Sequence, residues 1–278
     1  MCRWIAYTGK PVYMDTLVTR PEHSLVVQSL NAKMRYNKEG SILATNGDGF
    51  GVGWYGEKKE PGLYKVSEPA WSNENIHEIC SHTKAHIFMA HIREATMGEV
   101  QRSNTHPFKY KNWLFQHNGR IEQFNVIRRA LEFDIDPSLY PLVKGNTDSE
   151  VFFFLALTYG LEKNPRRAVE QTISRVERAC VEHGIPAEIA LSLAISDGVS
   201  LYTTRYAKGL KTDTQYYSTH ADCMKEINGS SCAKIPHKGV VVVSEPLDHS
   251  EEYWQEMPEY SFASIKNGRL SIEKLECL

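Results

Sequence analysis

Little in this chain points outward to a membrane, a nucleic acid or a metal. Its longest strongly apolar run, Val151 to Leu157, falls far short of the roughly 20 apolar residues that cross a bilayer. Lysine and arginine number 32 against 34 aspartates and glutamates, which gives a net charge of −2. That balance excludes the basic excess of a nucleic-acid groove or a polybasic membrane patch. Residues 2–20 contain Arg3, Lys10, Asp15 and Arg20 around no apolar core, so no secretory signal is read there. No internal repeat or low-complexity tract is visible.

The six cysteines (Cys2, Cys80, Cys180, Cys223, Cys232, Cys277) form no C-x-x-C pair. An even number admits disulfides, but without an export signal reduced thiols and a cytoplasmic protein are expected. His77, His82, His86 and His91 have no cysteine pair of zinc-ligand spacing beside them, so no metal is expected, and no other cofactor. The glycines of Asn46 to Tyr55 fit neither G-x-G-x-x-G nor the Walker pattern. They read as a turn entering a glycine-rich strand, where another backbone or a ligand passes close.

What is present is an ordinary globular composition, 41% hydrophobic and 24% charged over 278 residues. Met1 to Tyr7 alternates like a strand, and Ser24 to Leu30 reads as a short helix. His86 to Arg93 and Trp113 to His117 read as buried strands. Ile121, Phe124, Ile127 and Leu131 recur at helical spacing. A second helix begins near Asp148, and a third runs from Pro165 to about His183 and stops at Gly184. The last third is strand-rich, with Ile189 to Ile195, Val199 to Tyr206, Gly239 to Ser244 and a hairpin turning at Asn267-Gly268. Strands, then helices, then strands again predict an α+β fold with antiparallel sheets. The polar stretch 208–238 reads as a long surface loop or insertion within one domain spanning 1–278.

Chemistry begins at the chain end. Removal of Met1, common when a small residue follows, leaves Cys2 with a free α-amine beside its thiol. The ordinary pKa values, about 8.5 for the thiol and about 7.7–8.0 for the amine, are matched for proton exchange near neutrality. One residue then carries both nucleophile and base. Arg93, after the strand-like His91-Ile92, is either a surface ion-pair residue or a planar fork gripping a carboxylate. Asn118-Gly119 reads either as a turn or as an oxyanion hole made from a side-chain amide and a backbone N–H. Thr147-x-x-Glu150 is a capping box, which leaves Asp148 room to pair with a substrate ammonium. Ser103 to Phe108 looks like the end of a substrate loop.

In order along the chain stand Cys2, H-x-R-x-x-T-x-G from His91, N-x-H-P from Asn104, H-N-G-x-I from His117 and T-D-S-E from Thr147. This series resembles the glutaminase domain of class II glutamine amidotransferases, N-terminal-nucleophile hydrolases with a four-layer αββα sandwich. Met1-Cys2-Arg3, Asp48 to Tyr55, and Val243-Ser244-Glu245-Pro246-Leu247 with Trp254 are similar to the stand-alone branch. That branch includes the γ-glutamyl amidohydrolase of ergothioneine synthesis and the amidotransferase subunit of a glutathione-degrading complex. The resemblance implies that Cys2 is the nucleophile, that Arg93 holds the α-carboxylate with Thr96 beside it, and that Asn118 and Gly119 form the oxyanion hole. It implies further that Asp148 receives the α-ammonium and that His91 and His106 support the site. The substrate is then glutamine or a γ-glutamyl amide. Two alternatives stand beside that hydrolase: a glutaminase feeding ammonia to a separate synthase subunit, and an inactive γ-glutamyl-binding regulatory module.

Overall fold

A computed structural model describes residues 2–33, 45–95, 98–219, 224–225, 232–233, 236 and 238–277. The chain opens with strand β1 (Arg3–Tyr13), followed by the short helices α1 (Asp15–Val18) and α2 (Leu25–Leu30). A hairpin of β2 (Phe50–Tyr55) and β3 (Gly62–Val66) leads through helix α3 (Glu74–His82) into β4 (Lys84–Ile92). Next come β5 (Phe108–Tyr110) and β6 (Trp113–Ile121), and then helices α4 (Phe124–Phe133), α5 (Asp148–Thr158) and α6 (Pro165–Glu182). The remainder is strand: β7 (Ile189–Ser196), β8 (Leu201–Lys208), β9 (Tyr216–Ser218), β10 (Met224–Lys225) and β11 (Cys232–Ala233). It closes with β12 (Val240–Val243), β13 (Trp254–Glu256), β14 (Ser261–Lys266) and β15 (Arg269–Lys274).

Two large antiparallel sheets result, and β10 and β11 pair as a separate two-stranded ribbon. One large sheet has the order β13-β9-β12-β1-β4-β2-β3, the other β15-β14-β8-β7-β6-β5. The period-2 pattern of β1 explains its central place. Ile5 and Tyr7 turn to a core shared with α1, α2 and α3, while Trp4 and Ala6 turn to a core between the sheets with Leu114, Ala194 and Val242. A third core joins the far face of the second sheet to α4, α5 and α6. Three cores between four layers make the αββα sandwich.

Helix α5 runs through this third core and is apolar all round, with Val151 to Leu157 buried without a break. Its Phe153 stacks on Phe115 of β6 at 5.1 Å between centroids, so the helix is seated directly on that strand. Asn164 caps α6 by accepting from the Arg167 N–H, with Pro165 at the first helical position where a missing N–H costs nothing.

Three sequence expectations change. Asn118 and Gly119 are neither a turn nor past the strand, because β6 continues to Ile121 and pairs Asn118 with Ser192 and Gly119 with Leu191. Cross-strand pairing with the apolar β7 overrides the local turn preference of Asn-Gly. Helix α3 was not foreseen, since only Ile76 and Cys80 are buried on it and so short a stripe carries little periodicity. The stretch expected as a surface loop, 208–238, is drawn into the sandwich in its first part. Thr212, Asp213 and Gln215 are buried, and β9 pairs with both β12 and β13. The cause is Arg205, whose buried guanidinium donates to Asp213 O at 2.9 Å, Met257 O at 2.6 Å and Thr212 Oγ1 at 3.1 Å.

Candidate functional site

Cys2 precedes the first residue of β1. Arg3 is opposite Ile92 in the β1–β4 register, which sets Cys2 beside the Arg93-Glu94 backbone. The Cys2 Sγ accepts the Glu94 N–H at 3.4 Å and lies 3.5 Å from Glu94 O. Packing around the sulfur pushes its pKa up to about 12, burial outweighing the opposing pull of Arg93 and Arg3. At neutral pH the sulfur therefore keeps its proton, and any nucleophilic role requires a base within reach.

The chain beyond β4 is locked by Asp48. Its N–H donates to Arg93 O at 3.0 Å and its Oδ2 accepts the Ala95 N–H at 2.7 Å, while Arg93 N–H donates to Gly49 O at 2.7 Å. The Arg93 guanidinium donates to Glu99 O at 3.0 Å, and its charge is felt at the Cys2 sulfur.

The second sheet reaches the same place from across the sandwich. Gln116 Nε2 donates to Ile5 O at 3.0 Å, and His91 Nε2, opposite Trp4 in register, bonds His117 O at 3.0 Å. Each step along β6 thus moves one step back along β1, and Asn118 comes to the cysteine end. Asn118 is buried, yet neither its side-chain oxygen nor its nitrogen has a partner. A buried amide left unbonded costs about 1–3 kcal/mol, a cost that a bound ligand removes.

Gly119 has φ +146°, and a Cβ there would meet Ala190 O at 2.0 Å. The main-chain groups of its odd-numbered neighbours turn away from β7, since His117 O bonds His91 and the Ile121 N–H donates to Asp148 Oδ2 at 2.9 Å. The alternation of an antiparallel strand directs the Gly119 N–H the same way. Asp148 itself opens helix α5 and also takes the Ser149 N–H at 2.7 Å on Oδ1. Of the capping box, the Thr147 half is formed, Oγ1 accepting the Glu150 N–H at 3.3 Å. The Glu150 carboxylate turns instead to Lys144 N–H and Gly145 N–H.

His91 and His106 pack with ring centroids 4.3 Å apart and planes tilted by 32°, and burial drives the His91 pKa down to about 3 and that of His106 well below its ordinary value. Both rings are neutral at pH 7. His117 is likewise held neutral by burial, with Nδ1 2.9 Å from Ser149 Oγ. No three His, Cys, Asp or Glu side chains among the described residues gather to hold a metal ion. Thr96 lies outside the described residues.

The structure thus gathers Cys2, Arg93, Asn118, Gly119 and Asp148 at one end of the inter-sheet layer, with His91 and His106 beneath. Sequence reasoning missed three further features. In the sequence Asp48 stands out only as part of a glycine-rich segment. Arg3 is buried, its Nε 2.5 Å from Glu245 Oε1, while Glu245 Oε2 is 2.9 Å from His23 Nε2. That pair pins the start of β1, and its members are too far apart in the chain for spacing to reveal. Asp213, buried and with Oδ2 unbonded, was hidden in the presumed loop.

The family described as glutamine amidotransferases class-II matches residues 26–276. The chain belongs to that family. The probable glutamine amidotransferase DUG3 of Saccharomyces cerevisiae is 31% identical over 99% of this chain and 84% of its own length. A γ-glutamyl-hercynylcysteine sulfoxide hydrolase of Mycobacterium tuberculosis is 26% identical over 99% of this chain and 97% of its own. Among solved structures, a glutamine aminotransferase class-II domain protein from Silicibacter pomeroyi superposes with a TM-score of 0.71 at 29% identity, over 99% of each chain. The glutamine phosphoribosylpyrophosphate amidotransferase of B. subtilis has a TM-score of 0.66 at 14% identity, over all of this chain and 50% of that one. That last likeness is one of fold alone. Among the described residues, no helix of this amidotransferase is long and apolar enough to cross a membrane.

Proposed function

We propose that this chain, read as one catalytic domain over 1–278, is a γ-glutamyl amidohydrolase whose nucleophile is Cys2. The observation that carries the reading is the buried, unpartnered amide of Asn118, across the inter-sheet layer from a protonated Cys2 thiol. An idle hydrogen-bonding group beside a sulfur awaiting a base is what an acyl-transfer site requires before substrate arrives.

Once Met1 is removed, the α-amine of Cys2 takes the thiol proton as Sγ attacks the γ-carbonyl carbon. Asn118 Nδ2–H and the Gly119 N–H stabilise the resulting oxyanion, each by roughly 3 kcal/mol. The C–N bond then breaks, the leaving nitrogen takes the proton from the α-ammonium, and a γ-glutamyl thioester remains. Water, giving its proton to the α-amine, attacks the thioester; glutamate leaves and the thiol is restored. Arg93 pairs with the α-carboxylate of the glutamyl group, with Thr96 beside it, and Asp148 accepts from its α-ammonium. His91 and His106 act as neutral supports. A reaction run on a free thiol goes with the reducing cytoplasm.

The name of the yeast relative, a glutamine amidotransferase, favours glutamine itself as substrate, and on that reading the ammonia would go to a separate synthase or peptidase subunit. The name of the mycobacterial relative favours a γ-glutamyl compound larger than glutamine, which needs no partner. The test incubates the purified, Met1-free protein with glutamine and, separately, with a γ-glutamyl amine or peptide, and follows glutamate release. Faster turnover of the larger amide supports the hydrolase; strong turnover of glutamine alone overturns that preference in favour of ammonia delivery.

A further inference from the structure

We infer that Asp213 lines the leaving-group side of the site and accepts a hydrogen bond from the departing amine, so that it selects for basic amine leaving groups; this rests on the proposed cleavage at Cys2. Asp213 belongs to the segment that leaves the second sheet at Lys208 and enters the first at Tyr216, crossing the edge of the sandwich. Two bonds fix where it crosses. Thr214 Oγ1 donates to Ser244 O at 2.8 Å, and Ser244 is bonded through both its N–H and its Oγ to the main chain of Trp4, two residues from the nucleophile. On the other side Gln215 Oε1 accepts from Ser192 Oγ at 3.3 Å, and Ser192 is the β7 partner of Asn118. Asp213 therefore stands between the cysteine strand and the amide strand, and its charge is felt at the Cys2 sulfur.

The order of the first sheet says which side this is. β1 lies between β12 and β4. Arg93 follows β4 on one flank of Cys2, whereas Asp213 is tied to the end of β12 on the other. With the glutamyl head bound toward Arg93 and Sγ joined to the γ-carbon, the C–N bond that breaks points its nitrogen to the opposite flank, where Asp213 Oδ2 is buried without a partner. Arg205 holds the Asp213 main chain by its carbonyl oxygen. Although burial pushes the Asp213 carboxyl pKa up, the charges of Arg3, Arg120 and Arg205 pull the other way and favour the carboxylate. As the C–N bond breaks, the nitrogen receives the proton from the α-ammonium and departs as a neutral amine. An N–H of that nitrogen, carrying positive charge in the transition state, donates to Asp213, which neither gains nor loses a proton overall.

The experiment compares D213N with the parent on two substrates sharing one acyl group: γ-glutamyl methylamide, with a basic leaving amine, and γ-glutamyl-p-nitroanilide, with a weakly basic one. Loss of a bond to a charged group is expected to lower kcat/KM for the methylamide about 30-fold and for the anilide about 3-fold or less. Equal fractional losses on both overturn the assignment, because a merely structural role does not distinguish leaving groups. The ratio is taken within one preparation, so a partly unfolded variant still answers, and D213S serves if D213N does not fold. Failure of the parent to cleave either substrate overturns the cleavage reading itself, a result distinct from an unchanged ratio.

Discussion

The Nε2 of His91 reaches across the sandwich to the main-chain oxygen of His117 at 3.0 Å, one residue before Asn118. Because the partner is a carbonyl, Nε2 carries the proton, and the depressed pKa of the ring keeps Nδ1 bare. The bond therefore sets the height of the Asn118–Gly119 segment relative to β1. His91→Phe keeps the bulk and the ring contact with His106 but removes the donor. It is expected to lower kcat for glutamate release about tenfold, the scale of one buried hydrogen bond, while KM changes less. A loss confined to KM contradicts this placement.

The same burial makes the fold acid-sensitive. His91 has a folded pKa of about 3 against an ordinary 6.5, and His106 and His117 are lowered too. For each, the folded state binds its proton less readily than the unfolded chain. Their contribution to stability is complete above about pH 6.5 and is lost as pH falls toward the folded values, by at most about 1.4 kcal/mol per pH unit per histidine. Urea unfolding followed from pH 7.5 down to pH 4 should show this decline, and His106→Phe should make it shallower. A flat profile from pH 7 to pH 5 counts against it.

Gly119 offers a test of backbone geometry. An alanine there would meet Ala190 O at 2.0 Å and would have to hold φ +146°, so the strand must shift. Gly119→Ala is expected to cost about 3 kcal/mol or more of stability and to reduce kcat at least about 100-fold through the displaced N–H. Thermal unfolding and steady-state rates check the two effects separately.

Arg93 tests recognition rather than chemistry. Lys in its place keeps the charge but loses the planar fork that matches a carboxylate. Arg93→Lys is expected to raise KM about tenfold or more with a smaller effect on kcat. A γ-amide substrate lacking the α-carboxylate should be cleaved equally by both proteins.

The sequence carried the local part of this picture. Strand β1, helices α4 and α6, and the β14–β15 hairpin were legible because alternation, helical spacing, Asn164-Pro165 and Asn267-Gly268 are signals confined to a few residues. The ordered motifs named Cys2, Arg93, Asn118, Gly119 and Asp148, which the fold brings to one end of the inter-sheet layer. What stayed hidden depends on contacts between distant segments: Arg3 with Glu245, Arg205 with the 212–213 segment, and Thr214 with Ser244. Such pairs leave no mark of spacing in one chain. The backbone of Asn118-Gly119 stayed open in the sequence for the same reason, since only its partner strand β7 tells the pair that it is extended.

The chain end gives the last prediction. With its pKa pushed up to about 12, the Cys2 thiol does not ionise by itself anywhere near neutrality. Were thiolate formation alone limiting, kcat/KM would climb tenfold per pH unit up to that value. With the α-amine of Cys2 as base, the rise instead ends where that amine has lost its proton, about pH 8 from its ordinary pKa. The profile is therefore expected to rise from pH 6 and level off between about pH 8 and 9. Protein that retains Met1, recognised by intact mass, has an amide in place of the amine and should be slower by about a thousandfold or more, matching the loss of a base that serves both half-reactions. Cys2→Ala should release no glutamate in either form while unfolding at a temperature close to that of the parent. A Met1-bearing preparation with full activity would require the proton to go elsewhere, and Asp213, a buried carboxylate with an unbonded oxygen whose charge is felt at the sulfur, would be the first group to mutate.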